Sequence, residues 1–563
     1  MNGVGEGKDP AQAESTAQGK QKQSNKPVRG MMRAIRRVIG WTIIIGCVGG
    51  IIALRLLAGV MDFGQANIFT YLLVIVLGIT LLVRWFVRRD LNWIQRWVPI
   101  GVVLLALVVT ARLVRVDGVS GRLVPKLAWS WTLKPDQRLD APSIVGASHP
   151  VDLKTTASYD FPQFLGPQRN LILAGPALER DWSAHPPRLM WRQAIGAGWS
   201  GFSAVNGFAV TMEQRGGQEL VSCYEVEGGQ MRWSHGVAAR HETLAGGTGP
   251  RCTPTIDGGR VYALGATGIL RCLGGATGKL LWQDAILERY GVTPESDLSA
   301  VAWGRAASPL VLGDLLIVPW GGPKGGPYVS LVAYDKVTGE IRWKGGTEQV
   351  SYASPSYVTL CGVPQILIVN ASSVSGHRPE DGVVLWSYDW PGNSSANASA
   401  SQAVVVADNR VLLSKAYGTG AALIELHVKE KDTWEPTLVW KRSGSLKTKF
   451  TNVVVHDGLV YGLSDGIMEC VQLSDGKPRW KDRRRGDFGH GQLLLVGDSL
   501  LVQAESGEVV MLEPSGESLK ELGRFPALSD QTWNNLCLYG RFLLVRNSVE
   551  AACYELPTRM SSP

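Results

Sequence analysis

The chain has 563 residues, 66 of them Gly and 20 Trp, with a formal net charge of +8. That charge is unevenly placed: residues 1–126 hold 17 Lys/Arg against 6 Asp/Glu, and the rest hold 40 against 43. The basic balance therefore belongs to the N-terminal part and argues against a nucleic-acid-binding domain, while the length exceeds one ordinary compact core.

Residues 1–37 form a polar, basic stretch whose first 30 residues lack apolar periodicity, and they are expected to be a disordered cytoplasmic tail. Three apolar runs come next, at about 38–60, 64–86 and 97–115. At ~1.5 Å per residue, ~20 residues cross a bilayer core, so each reads as a transmembrane helix. Lys26, Arg29, Arg33, Arg36 and Arg37 precede the first run, and Arg84, Arg88, Arg89 and Arg96 lie between the second and third. By the positive-inside tendency the N-terminus is cytoplasmic and the remainder lies outside the cytoplasmic membrane. Arg112, Arg115, Arg122 and Lys126 weigh against that orientation. Residues 117–187 read as a connector, or as a small strand pair packed on the C-terminal domain, and neither reading carries chemistry.

From residue 188 to 557 the chain repeats. CTPTIDGGRVYALGATGILRCLGGATGKLLW (252–282) gives four short strands with Gly-rich turns, closed by Trp282. Such a sheet buries both faces only by stacking on copies of itself. The copies close on Trp233, Trp343, Trp386, Trp440 and Trp480, spaced with Trp282 by 40 to 61 residues. A seventh unit (491–525) has Phe525 where Trp would stand. An eighth (534–557) has three strands, and RLMWRQ (188–193), with Trp191, supplies its fourth. The fold class is all-β: an eight-bladed β-propeller of four-stranded blades, closed by both chain ends and preceded by transmembrane α-helices. Residues 558–563 are a tail.

Cys223, Cys272 and Cys470 each stand six residues before a turn Gly (Gly229, Gly278, Gly476), and Cys553 takes the comparable place in the last unit. Equivalent places in different blades imply small buried packing residues rather than disulfides. The pairing of Cys252, Cys361 and Cys537 is left open, and Cys47 lies in the first apolar run. Metal-ligand spacings, GxSxG and the P-loop are absent from the sequence.

Propeller ligands meet the loops that lead into the innermost strands. Those loops carry Trp199, Ser200, Arg251, Trp303, Arg305, Tyr352, Asn397, Lys449, Asp487, His490, Trp533 and Asn534. Rings with cations and amides in one concave ring suit a planar or anionic ligand or a peptide. Filling of the funnel and capping of strand ends is the competing role for each residue.

Thr277-Gly278-Lys279-Leu280-Leu281-Trp282 and Thr338-Gly339-Glu340-Ile341-Arg342-Trp343 resemble the tryptophan-docking motifs of the pyrroloquinoline-quinone (PQQ) propeller superfamily, and FPQFLGP (161–167) resembles a motif common in its repeat proteins. The resemblance covers roughly 159–557. It implies either of two functions. The first is a membrane-anchored, non-catalytic scaffold for envelope proteins or an extracytoplasmic ligand, needing the lipid bilayer but no cofactor and no nucleic acid. The second is a membrane-bound quinoprotein dehydrogenase acting on an alcohol or sugar with PQQ and calcium. The adjacent Cys-Cys pair of soluble quinoprotein alcohol dehydrogenases has no counterpart, and no calcium ligand or catalytic Asp is matched. The expected catalytic and metal residues are therefore none, and the first function is favoured.

Overall fold

The computed structural model describes every residue except 2, 4–25, 57–61, 89, 141–149, 393–397, 430–432 and 560–563. The tail expected to be disordered lies mostly outside the described residues, as does Asn397. The chain divides into two compact units, Met1–Arg115 and Val116–Pro563.

The first unit is helical: α1 (Lys26–Leu56), α2 (Phe63–Phe86) and α3 (Trp93–Leu113). Helix α1 begins inside the stretch expected to be tail, because the segment from Met31 to Arg37 is built largely of good helix formers that extend the apolar run backwards. Asp62 caps α2 by accepting from the Gln65 N–H, and Asn92 forms a reciprocal capping box with Gln95 at the start of α3. Arg55, the charge that interrupts the first apolar run, donates to Asn67 of α2 at 3.0 Å. The stretches Ala34–Leu56, Phe63–Phe86 and Trp93–Leu113 are each long and apolar enough to cross a membrane.

Among the described residues, the second unit contains eight four-stranded antiparallel blades in ring order, besides small two-stranded sheets. Blade 1 begins at Ser203–Val205 and ends at Met231–Ala238; blade 2 runs from Thr255 to Ala285 and blade 3 from Leu310 to Gly345. Blades 4, 5 and 6 span 356–389, 404–442 and 454–481; blade 7 spans 492–526. Blade 8 takes three strands from 537–555 and its outermost strand from Arg188–Ala194, with Cys553 opposite Trp191. Both chain ends thus close the ring and leave no open edge at the seam.

Every blade carries a β-bulge at one register position, between its third and fourth strands. It follows Cys223, Cys272, Ala333, Gly376, Leu423, Cys470, Met511 and Cys553 in blades 1 to 8. The residue opposite is the closing Trp in seven blades. In blade 7 it is Gly523 rather than Phe525, which corrects the sequence alignment of that unit. Trp182, from the segment before blade 8, packs on Gly523 and stands edge-on to Phe525 with ring centroids 5.5 Å apart.

The closing tryptophans join the blades. Trp233 donates its indole N–H to the Gly275 carbonyl of blade 2 at 2.7 Å, and its ring lies over Gly278. Trp191, Trp282, Trp343, Trp440 and Trp480 likewise donate to Val226, Lys336, Pro379, Leu473 and Ser515 of the next blade, at 2.7–3.2 Å. The turn glycine has φ near +70° at Gly278, and a Cβ there would stand 2.6 Å from the Trp233 ring. Both facts demand glycine. Trp386 departs from the pattern and donates to Gln365 of its own blade at 2.7 Å. Its neighbour, blade 5, has two ten-residue outer strands in place of the short Gly turn on which the ring would rest.

The eight cysteines form no disulfide, and Cys223, Cys272, Cys470 and Cys553 are fully buried opposite the closing Trp of their blades. Residues 150–187 pack against the inner strands of several blades. Phe161 bridges Ala204 of blade 1, and Pro162 accepts the Ile256 N–H of blade 2. Buried Arg169 donates to the carbonyls of Ser308 and Pro309 at 3.0 Å, and Ile172–Leu173 adds a parallel fifth strand to blade 7. FPQFLGP is therefore part of a plug that ties blades 1, 2, 3 and 7 together.

Candidate functional site: the loop face of the propeller

In up-and-down blades, the turn between the second and third strands and the crossing to the next blade lie on one face. Most crossings carry a hydroxyl or amide that bonds a neighbouring crossing. Thr253 accepts from the Gly201 N–H, Ser308 from Thr253, Ser354 from Ser308, Ser351 from Ser399, and Asn452 from Gln402. Asn534 donates to the Gly198 and Ser200 carbonyls, at 3.0 and 2.8 Å, across the seam. The crossings are thereby held in register around the funnel.

The residues expected to rim the funnel divide into two groups. On the side of blades 6, 7, 8 and 1, Trp199 lies 4.6 Å from Trp533, Trp533 lies 4.7 Å from Phe450, and Phe450 lies 5.5 Å from His490. Lys449 stands beside them, 3.4 Å from Asp465. On the side of blades 2 to 4, Trp303 leans on Tyr352 at 5.1 Å. Beside this pair a cavity of about 370 Å³ opens, lined by Ser299, Lys324, Tyr328, Glu348 and Gln349 among others. Burial pushes the Tyr352 hydroxyl up to about 12, so it remains a neutral hydrogen-bonding group.

The two arginines are held by groups of the propeller itself. Arg251 turns back to the Gly246 and Gly249 carbonyls at 2.6 and 2.7 Å, and burial lowers it to about 10. Arg305 is buried against Asp297, with two N–O distances of 2.8 and 3.1 Å, and also donates to the Trp320 carbonyl. Arg251 is thus engaged within its own loop, and Arg305 by Asp297 of its loop and by Trp320 on a strand of blade 3.

The decisive feature comes from the connector. Val114–Val119 (β1) and Pro125–Trp129 (β2) form a two-stranded hairpin, and its turn enters the funnel over the first aromatic group. Gly121 N–H donates to Glu505 at 2.7 Å, and the Gly121 carbonyl accepts from Lys449 at 3.1 Å. A Cβ on Gly121 would lie 2.1 Å from the His490 ring, so the tip fits only as glycine. Arg122 pairs with Asp487, Lys126 with Asp530 at 2.8 Å, and Gln531 reaches the Val119 carbonyl at 3.3 Å. Glu505 also accepts from the His490 N–H at 2.9 Å and the Gln531 amide at 3.0 Å. Burial raises the Glu505 carboxyl, but these donors outweigh it and hold the group below its ordinary value. The connector continues to blade 1, where Asp136 meets Arg240 at 2.6 Å and Lys134 meets Glu242. Nothing in the linear pattern pairs Gly121 with Glu505, which stand 384 residues apart.

Buried His241, in the crossing from blade 1 to blade 2, carries a pH dependence. Burial, aided by Arg251, lowers its imidazole to about 3. The unfolded imidazole takes a proton near 6.5 and the folded one does not. Stability is therefore complete above ~6.5 and is lost progressively towards ~3, by at most ~1.4 kcal/mol per pH unit. Denaturant midpoints measured from pH 7.5 to 5 should fall less steeply for His241→Gln than for the parent protein.

The family model described as outer membrane protein assembly factor BamB matches residues 188–319 and, overlapping them, 217–482. The chain belongs to this PQQ-like propeller family. It is similar to the dehydrogenase subunit of the quinone alcohol dehydrogenase of Gluconacetobacter polyoxogenes, with 26% identity over 283 residues, covering 46% of this chain and 32% of that protein. The corresponding subunit of Acetobacter aceti is 27% identical over 290 residues, covering 48% and 33%. The chain thus spans about a third of the length of these curated relatives. Among solved structures, a europium-containing methanol dehydrogenase shares the fold with a TM-score of 0.53 at 12% identity, over 70% of this chain and 91% of that one.

Proposed function

We propose that this PQQ-like propeller is a membrane-anchored, non-catalytic scaffold, held by its three apolar helices with the propeller on the outer side of the cytoplasmic membrane, where it binds other envelope proteins. The observation that carries this reading is the filled funnel. The hairpin tip occupies the mouth, its backbone engages Glu505 and Lys449, and Gly121 abuts His490.

The competing reading is a PQQ-dependent alcohol or sugar dehydrogenase, to which the similarity with quinone alcohol dehydrogenase subunits gives weight. The residues present do not fit that cofactor. A quinone needs a polarising cation and a base at its carbonyl. Among the described residues, no three His, Cys, Asp or Glu side chains converge in a way that would hold a metal ion. The carboxylate best placed at the mouth, Glu505, already accepts three N–H groups. Arg251 and Arg305 are already engaged, by the Gly246 carbonyl and by Asp297.

The test is a titration of the detergent-solubilised full chain with PQQ, alone and with calcium or europium, followed by absorbance and thermal unfolding. The expected result is no saturable shift and no reduction of an electron-accepting dye by primary alcohols or aldoses. A saturable, metal-dependent shift accompanied by dye reduction would replace the scaffold with the dehydrogenase.

A further inference from the structure

The hairpin's second strand and the residues after it are built inside out. From Pro125 to Lys134 the chain reads PKLAWSWTLK, with period-two alternation. In a strand packed on a protein, the apolar positions of such a pattern face the protein. Here they face away. Leu127, Trp129, Trp131 and Leu133 are 69%, 53%, 64% and 59% exposed, whereas Lys126 and Lys134 reach the propeller through Asp530 and Glu242. Trp129 and Trp131 stack on each other, with centroids 5.0 Å apart and planes at 13°, without entering the core.

An element that turns its charges towards the protein and its rings outward is matched to an apolar medium outside. Its place in the chain says which one. Helix α3, long and apolar enough to cross a membrane, ends at Leu113, and β1 starts at the next residue. A two-stranded hairpin with so short a turn is antiparallel, so β2 runs back along β1, the strand that follows Leu113 in the chain. Trp, with an apolar body and one N–H, is the residue that settles at the headgroup level of a bilayer.

We propose that Leu127, Trp129, Trp131 and Leu133 form an interfacial patch that inserts among phospholipid headgroups and upper acyl chains. Through the polar side of the same segment, the patch holds the hairpin tip in the funnel mouth. The proposal rests on the membrane-anchored reading above.

The experiment reconstitutes the full chain in phosphatidylcholine–phosphatidylglycerol vesicles containing a photoactivatable carbene-bearing phospholipid, and maps the adducts by peptide mass spectrometry. The expected result is labelling both in the three helices and on Leu127–Leu133. Trp129→Glu with Trp131→Glu should abolish the second set of adducts and leave the first. Labelled helices with Leu127–Leu133 at the level of the exposed ring of Tyr159 would overturn the patch and leave the anchor standing. Unlabelled helices would overturn both. Adducts joining two copies through Trp129 or Trp131, with no lipid adduct there, would reassign the patch to self-association and overturn the proposal.

Discussion

Replacing Arg546 by leucine is expected to destabilise the propeller by about 3–5 kcal/mol, because this fully buried side chain in blade 8 bonds across the seam that closes the ring. Its guanidinium donates to the carbonyls of Met212 and Gly196 at 2.7 Å each and to the Thr211 hydroxyl at 2.9 Å. It also stands near the fully buried carboxylate of Glu213, which accepts from Ser222 at 2.6 Å and Tyr224 at 2.8 Å and pairs with Arg215 at 3.3 Å. Burial alone would raise Glu213, but Arg215, Ser222, Arg546 and Tyr224 together hold it below its ordinary value. That contribution is present above the unfolded carboxylate's pKa and is lost as the pH falls through the lower folded value. Leucine would strand two carbonyls and strip Glu213 of a counter-charge. The checks are denaturant midpoints at neutral pH and at pH 4. The variant should unfold at markedly lower denaturant at neutral pH and lose less on acidification than the parent. An unchanged neutral midpoint would mean that the seam is held by strand pairing with Arg188–Ala194 alone.

The second large effect is expected at the blade junctions. Trp233→Ala should cost about 3–5 kcal/mol, the range for emptying a buried aromatic site. The ring is 4% exposed, rests on Gly278 and donates to Gly275. Trp233→Phe should fall between parent and alanine, since it keeps much of the ring contact and loses the N–H bond, worth about 1 kcal/mol. Gly278→Val, made from the other side, meets both a φ of +70° and a Trp ring at 2.6 Å, and should resemble Trp233→Ala. If valine at 278 were tolerated while Trp233→Ala was not, the indole would be anchored by its own blade, as Trp386 is.

Much of the fold was legible because a four-stranded sheet repeated around an axis leaves the same demand in every copy. The Gly turn and the Trp that rests on it recur at blade spacing, so Trp191 standing before the first full repeat announced the closure that pairs it with Cys553. The cysteine register was readable for the same reason, since Cys recurs at the bulge position opposite the closing Trp in four blades. The rule failed where one blade met a neighbour that lacked the repeat's turn, as at Trp386. It failed again where an outside segment took over a blade's function, as Trp182 does for Gly523.

The candidate site was legible only as a set of residue types on the right loops. Asn534 bonds across the seam and Trp199 meets Trp533 because all three lie in crossings whose place the repeat alone sets. Whether Arg251 and Arg305 face the funnel depends on which carbonyls and carboxylates lie within reach after folding, and composition does not carry that information. What the sequence by itself determined is the repeat, its closure and the three apolar helices, because these arise from periodicity and length. What only the tertiary structure decided is what fills the funnel. A glycine in the connector reaches Glu505 and His490 because the ring brings them to one place, and the inverted face of Leu127–Leu133 became visible only once its polar side was seen turned to the propeller.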